Sequence, residues 1–387
     1  MGTIAHKHNP HLHFHHFIDC VLAFIKKNAV LCVALLAAFT TSIIVPPDKA
    51  YLDYFDLKTL TCLFCVLAVV CAFKNIRFFF ALAQKIVRVF KTTRASVLAL
   101  CYVTFIGSML IANDMALLTF LPLGYFVLST TGKQKHMAFT FIMQNIAANL
   151  GGMLTPFGNP QNLYLYTKFN IPTGDFVLTM LPPFLISVAL ITLSCFLFVK
   201  KETLEIGEEK ILLPKGKTIV YSLLFTLSIV IVFRWIPYWT GLIVIPAVLL
   251  FMDKKALAQV DYGLLFTFVA FFIFSGNMAR IPAVQDAFGY LMEKNPLLVS
   301  TSSCQVISNV PSAILLSRFT TDYKSLLMGV NIGGTGTLIA SLASLITFSE
   351  HRILYPGHTK QYFWLFTLIN TVFLIIMTVA AKFLFLA

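Results

Sequence analysis

The chain has 387 residues, 58% of them hydrophobic and only 12% charged, with a mean hydropathy of +0.84. A soluble core cannot bury that much apolar surface, so composition excludes a water-soluble enzyme or binding module and predicts an integral membrane protein. The formal charge of +13 would point to nucleic acid in a soluble domain, but here the basic residues fall in short loops between apolar spans, the mark of topology and of contact with anionic lipid.

Residues 1–27 form a histidine-rich cytoplasmic tail, with His6, His8, His11, His13, His15 and His16, leading into the start of the first helix. Such a tail can gather a transition metal, yet a disordered, cytoplasm-facing tail is the preferred reading and no metal site is assigned. No cleavable signal peptide is expected, because the first 16 residues are polar. Cys62 and Cys65 make a C-x-x-C with no second pair and read as small core residues.

A first span runs over 28–45 and ends at Pro46 and Pro47; a second covers 57–73. In 74–94 the basic Lys74, Arg77, Lys85, Arg88 and Lys91 share about a third of the circumference at the helical repeat of ~100° per residue, predicting an amphipathic surface helix. Residues 95–128 are apolar but broken at their midpoint by Asn113 and Asp114, and basic residues flank both ends, which predicts a re-entrant hairpin with this pair near the tip. The alternative is one span followed by a short surface helix. A helix over 137–166 crosses next, and 176–199 returns.

That helix contains Asn149 to Asn162, NLGGMLTPFGNPQN. Gly151, Gly152 and Gly158 lack side chains, Pro156 and Pro160 lack backbone donors, and the run cannot stay continuously helical. Polar main chain at membrane depth is tolerated where it is buried in protein or lines a solvated cavity, so the break predicts a binding site; the alternative is a packing kink. Residues 200–217, with five lysines and four glutamates, read as a cytoplasmic linker.

The second half, 218–387, repeats the first half, 28–199. Spans at 218–233 and 240–252 are followed by Tyr262 to Met278, a second hairpin over 297–317 interrupted at Ser308, Asn309, Val310 and Pro311, a second broken helix at 325–347, a loop with His351, Arg352 and His358, and a last span over 361–385. When Asn331 is laid on Asn149, NIGGTGTLIASLAS falls on the first break without a gap, and Gly333, Gly334 and Thr337 face Gly151, Gly152 and Thr155. This layout puts most of the 29 basic residues on one side, giving an amino terminus inside the cell membrane and halves of opposite orientation. The fold class is thus an all-α polytopic membrane protein of two inverted-topology repeats, each with a re-entrant hairpin and a broken transmembrane helix.

Two tips and two breaks converging near the midplane would offer helix amino-terminal ends to an anion, and carbonyls and amide oxygens to Na⁺. The substrate-binding candidates are Asn113, Asn149, Gly151, Gly152, Thr155, Asn159, Asn162, Ser308, Asn309, Asn331, Gly333, Gly334 and Thr337. Any one of these asparagines can equally tie two helices together. Asp114, the carboxylate placed deep in an apolar segment, is the candidate for a coupling ion, Na⁺ or H⁺, with Asn113 and Asn309 beside it; a helix-capping role is the alternative. Clustered nucleophiles or intramembrane histidines that an enzyme would need are not found, and no cofactor is expected beyond the coupling ion.

These paired motifs, with Asn113-Asp114-Met115-Ala116 and Ser308-Asn309-Val310-Pro311 at the tips, resemble the ion transporter superfamily that includes the citrate transporter-like, divalent anion:sodium symporter, arsenite permease and NhaD-type families. The resemblance implies a homodimer whose transport domain moves as an elevator. Dicarboxylate members carry Ser-Asn-Thr at each tip, where this chain has Ala112-Asn113-Asp114 and Ser308-Asn309-Val310; the Asn-Asp pair is closer to the arsenite permease and citrate–metal branches, while the G-N-P-Q-N break resembles the symporters. The expected function is a secondary active transporter moving a small anion, such as a di- or tricarboxylate, with Na⁺ or H⁺. The alternatives are arsenite-type oxyanion efflux, Na⁺/H⁺ antiport, and, from another class, a channel. Its partners would be a small anionic substrate, membrane lipid and a second copy of the chain, not nucleic acid.

Overall fold

A computed structural model describes residues 28–204 and 212–384. The histidine-rich tail and the middle of the 200–217 linker lie outside the described residues.

The described chain is helical. In order, its helices are α1 (Ala29–Ile44), α2 (Leu57–Asn75), α3 (Phe78–Arg88), α4 (Thr93–Ile111), α5 (Asn113–Thr130), α6 (Met137–Gly151), α7 (Pro160–Lys168), α8 (Thr173–Phe198), α9 (Lys215–Val232), α10 (Tyr238–Met252), the short α11 (Lys254–Ala258), α12 (Tyr262–Met278), α13 (Pro282–Lys294), α14 (Pro296–Ile307), α15 (Asn309–Leu316), α16 (Tyr323–Ile332), α17 (Leu342–Leu354) and α18 (Thr359–Leu384). Among the described residues five helices, α2, α4, α8, α9 and α18, are long and apolar enough to cross a membrane, and α12 with α13, bent by 98°, would make a sixth. The protein is a multi-pass membrane protein.

Local chemistry sets the helix starts. Asp56, Asp261 and Asp322 accept from the amides of Thr59, Leu264 and Ser325 at 2.9, 2.9 and 3.1 Å, satisfying first-turn donors. Pro160, Pro282 and Pro296 open α7, α13 and α14, where the missing N–H costs nothing.

The chain sorts into two packed groups. In one, α1 lies along α12, and α2 packs on α9 and α10. In the other, α4 to α7 and α14 to α17 interlock, with α8 and α18 against α6. The groups meet where α12 packs on α15 and α2 on α7, and two guanidinium groups add polar ties. Arg234, after α9, donates to the carbonyl of Tyr166 in α7 and to Asn170 Oδ1 at 2.6 Å. Arg318, after α15, donates to the carbonyl of Tyr54 at 3.2 Å and sits over that ring.

Two expectations need correction. The amphipathic helix predicted over 74–94 is the shorter α3. Arg77 takes a left-handed backbone (φ 55°) that separates it from α2, and Thr92 caps α4, so the basic residues at either end belong to turns. His351 is not in a loop but in the last turn of α17, buried, with its ring stacked on Tyr362 at 3.6 Å between centroids.

Candidate functional site

Both interruptions in the apolar stretches become hairpin tips with one geometry. Between α4 and α5 the turn residue is Ala112 (φ 66°, ψ 151°); between α14 and α15 it is Ser308 (φ 74°, ψ 159°). This is a region that residues with a Cβ avoid at a cost of about 1–3 kcal/mol, and both tips adopt it. The next residue is Asn in each case. Its Oδ1 folds back to accept from the following amide, Asp114 N to Asn113 at 3.0 Å and Val310 N to Asn309 at 2.9 Å. Because α5 and α15 start at these asparagines, first-turn N–H groups without helical partners collect at both tips.

Each break packs against the hairpin that precedes it. After α6 the chain passes through a 3-10 turn (Gly152–Leu154) and extended Thr155 to α7; after α16 it passes through Gly333 to Thr337 and a 3-10 turn (Leu338–Ala340) to α17. Thr155 Oγ1 donates to the carbonyl of Met109 at 2.7 Å, and Thr337 Oγ1 to the carbonyl of Gln305 at 3.3 Å. Met109 and Gln305 stand at the same distance before their tip asparagines. Gly151 lies directly on the Phe105 carbonyl and Ser108, and Gly333 on Cys304; a Cβ at either glycine would collide with these atoms. Close approach, rather than a special φ, is what these two glycines supply.

The tips and breaks meet in one cluster of buried amides. Asn113 Nδ2 donates to Asn149 Oδ1 at 3.3 Å, and Gly334 lies against both Asn149 Oδ1 and Asn309 Nδ2. Asn159 Nδ2 donates to Asn331 Oδ1 at 3.1 Å, and Asn331 Nδ2 to Asn162 Oδ1 at 2.6 Å. Asn162 Nδ2 in turn reaches the carbonyls of Gly152, Met153 and Thr155 that the break has freed. Ser308 Oγ donates to the Ala340 carbonyl at 3.3 Å. All the candidate residues named from the sequence therefore sit in this cluster or in its immediate support.

Asp114 stands apart chemically. It occupies the first turn of α5, its Oδ1 is buried, and it has no hydrogen-bond partner among the described residues. Its carboxylate caps nothing; Asn113 plays that part. Asn159 Oδ1 is likewise buried and unpartnered. Buried oxygens of this kind are donors that a hard monovalent cation takes. Among the described residues no group of three or more His, Cys, Asp or Glu could hold a metal. A pocket of about 240 Å³ opens along α5 at Leu118, Thr119 and Pro122, with Lys74 and Arg77 at its side. Leu118 and Pro122 lie one and two turns from Asp114 on the same helix face.

Several supporting residues escape a reading of the sequence. Asn145, one turn before Asn149, donates to Asn370 Oδ1 at 3.2 Å and accepts from Thr347 Oγ1 at 3.2 Å. Gln305 binds the carbonyls of Gly333 and Thr335 through Nε2, and the Thr337 amide through Oε1. Gln144 joins the Thr104 hydroxyl to the Phe120 carbonyl, pinning both arms of the first hairpin. Their one signal was spacing: Asn145 precedes Asn149, and Gln305 precedes Asn309, by one helical turn.

The profile of the citrate transporter family matches residues 20–324. An uncharacterized transporter of Methanocaldococcus jannaschii is 33% identical over 294 residues, covering 76% of this chain and 80% of that protein. The inner membrane protein YbiR of Escherichia coli K12 is 30% identical over 296 residues, 73% of this chain and 77% of its own. The silicon efflux transporter LSI3 of rice is 30% identical over 159 residues, 41% of this chain and 31% of its own. A transporter rather than an enzyme, the chain belongs to the citrate transporter family.

Proposed function

We propose that this protein is a secondary active transporter that moves a small anion, a di- or tricarboxylate or a similar species, across the cell membrane with Na⁺ or H⁺. The reading rests on one relationship, the matched tips at Asn113 and Asn309 brought against the matched breaks at Asn149 and Asn331. Two inverted repeats, with the amino terminus inside, account for that match. First-turn N–H groups of α5 and α15 would hold the anion, while Asp114, Asn113, Asn309 and the freed carbonyls would hold the cation. Lys74 and Arg77 beside the pocket along α5 would draw anions toward the tips. In a homodimer, the group made of α4 to α7 and α14 to α17 would move as an elevator against the other.

The test is uptake by purified protein in proteoliposomes with imposed Na⁺ or H⁺ gradients. Replacing Asp114 by Asn should abolish stimulation by the gradient while leaving substrate binding; undiminished coupled uptake would remove Asp114 from the mechanism. A second reading, oxyanion efflux or cation/proton antiport, is favoured by the unpartnered Asp114 Oδ1, and everted vesicles loaded with arsenite or silicate would detect it.

A further inference from the structure

Away from the central cluster, a pocket of about 220 Å³ lies where the segment before α6 meets the end of α17 and the start of α18. Gln134 and Lys135 come from the first, His351 and Tyr355 from the second, and His358, Gln361 and Tyr362 from the third. Every one of these side chains can donate a hydrogen bond, and none is acidic. The size suits a molecule smaller than an ordinary cofactor.

The pocket has a built floor. His351 is only 1% exposed, yet neither ring nitrogen has a partner, and the Tyr362 hydroxyl, equally buried, has none either. The two rings lie flat on each other, 3° from parallel. At the rim, Gln361 Oε1 faces His358 Nδ1 at 3.2 Å, which leaves its amide N–H groups for another partner. Lys135 Nζ bonds Glu202 at 2.6 Å and keeps further N–H donors. Buried polar groups left unpaired are costly, and a lining in which each of these side chains can donate and none is acidic suits an acceptor.

We propose that this pocket binds a small oxyanion, a carboxylate, phosphate or sulfate group, with His351 at its floor and Lys135 at its rim. The groups facing His351 are Lys135 and Gln134 from before α6, Tyr355 on its own helix, His358 in the loop and Tyr362 and Gln361 on α18; none carries negative charge. An empty pocket therefore keeps the imidazole neutral, and a bound anion favours its protonated, doubly donating form. Binding takes up a proton, so affinity rises as pH falls.

Inorganic sulfate, which does not titrate near neutrality, is the probe. Binding to the purified full-length protein is measured by calorimetry and by melting temperature at about pH 6 and about pH 8, where a histidine changes charge. The wild type should bind about tenfold or more tightly at the lower pH, the linkage expected for uptake of one proton over such an interval. His351→Phe keeps a ring on Tyr362 and should bind weakly with no pH dependence. Lys135→Gln, at a side chain 59% exposed where folding is not at stake, should weaken binding at both pH values. No sulfate binding by the wild type, or equal binding by wild type and Lys135→Gln, overturns the proposal. Nanodiscs separate two sources of the anion: sulfate binding lost in phosphatidylglycerol but kept in phosphatidylcholine identifies a lipid headgroup as the resident ligand, and binding kept in both identifies a soluble one. The proposal does not depend on the transport reading, since Lys135 and His351 touch no residue of the amide cluster in any hydrogen bond described above.

Discussion

Asn113 and Asn309 occupy the same place in two separate hairpins: each follows a residue with positive φ, and each turns its Oδ1 onto the next amide, at 3.0 and 2.9 Å. Each asparagine does two jobs, closing a helix start with its oxygen and presenting its Nδ2 toward a broken helix. Replacing either by Ala removes a cap worth about 1 kcal/mol. Asn113→Ala also strands the Oδ1 of Asn149, so it should cost about 1–3 kcal/mol more and stop uptake. Thermal unfolding of Asn113→Ala, Asn149→Ala and the double variant should give a double loss smaller than the sum.

Strain at the tips can be measured directly. Ala112→Gly allows the φ 66° backbone at no steric cost, and the net gain, after the extra freedom of the unfolded glycine, should be about 1 kcal/mol. A valine there should destabilise by more than the alanine already does. A melting temperature unchanged by Ala112→Gly would show that the tip is not strained.

Close packing of breaks on hairpins predicts an ordered pair of effects. Gly151→Ala pushes a methyl group into the main-chain carbonyl of Phe105, 2.4 Å away, which cannot move without its helix, whereas Gly333→Ala meets the Cys304 side chain and the Gly329 carbonyl, each at 2.8 Å. Both should lose stability, by about 1–3 kcal/mol. Gly151→Ala, with the shorter contact, should be the worse.

Outside the spans, Glu202 accepts from Lys133 at 2.5 Å and Lys135 at 2.6 Å, and these bonds, Lys133 first, hold its carboxyl down to about 2 from an ordinary 4.5. A carboxyl depressed in the folded chain gives stability that is complete above the unfolded value and disappears as pH falls from about 4.5 to about 2. Glu202→Gln should flatten that stretch of the melting-temperature profile relative to wild type and lower the melting temperature at neutral pH, modestly because the ion pairs are only partly buried.

The hairpins and breaks were legible because asparagine, glycine and proline are conspicuous inside apolar runs, where hydrocarbon tolerates few of them. Repetition of Asn-x-Gly-Gly then linked the halves. What stayed hidden follows from the same physics. Asn145, Gln305 and Asn370 look like isolated polar residues on helices, and only three-dimensional packing shows that they bind carbonyls and amides of other segments. His351 sits among Arg352, Tyr355 and His358, a polar neighbourhood that reads as a loop, and its burial comes from α18 folding back over it. Basic residues continue past the end of α3 into the turn before Thr92, so the pattern of charge outruns the helix.

The arginines at 234 and 318 carry a kinetic consequence. Each spends its guanidinium on a carbonyl of the opposing group, and each leaves its Nε buried without a partner. Sliding one group past the other must break both ties, and neither guanidinium can be left dry. If the two groups move as proposed, the molecule has no smooth path between arrangements. It would rest in one well until water or a new carbonyl reaches both arginines, and then shift in a single jump.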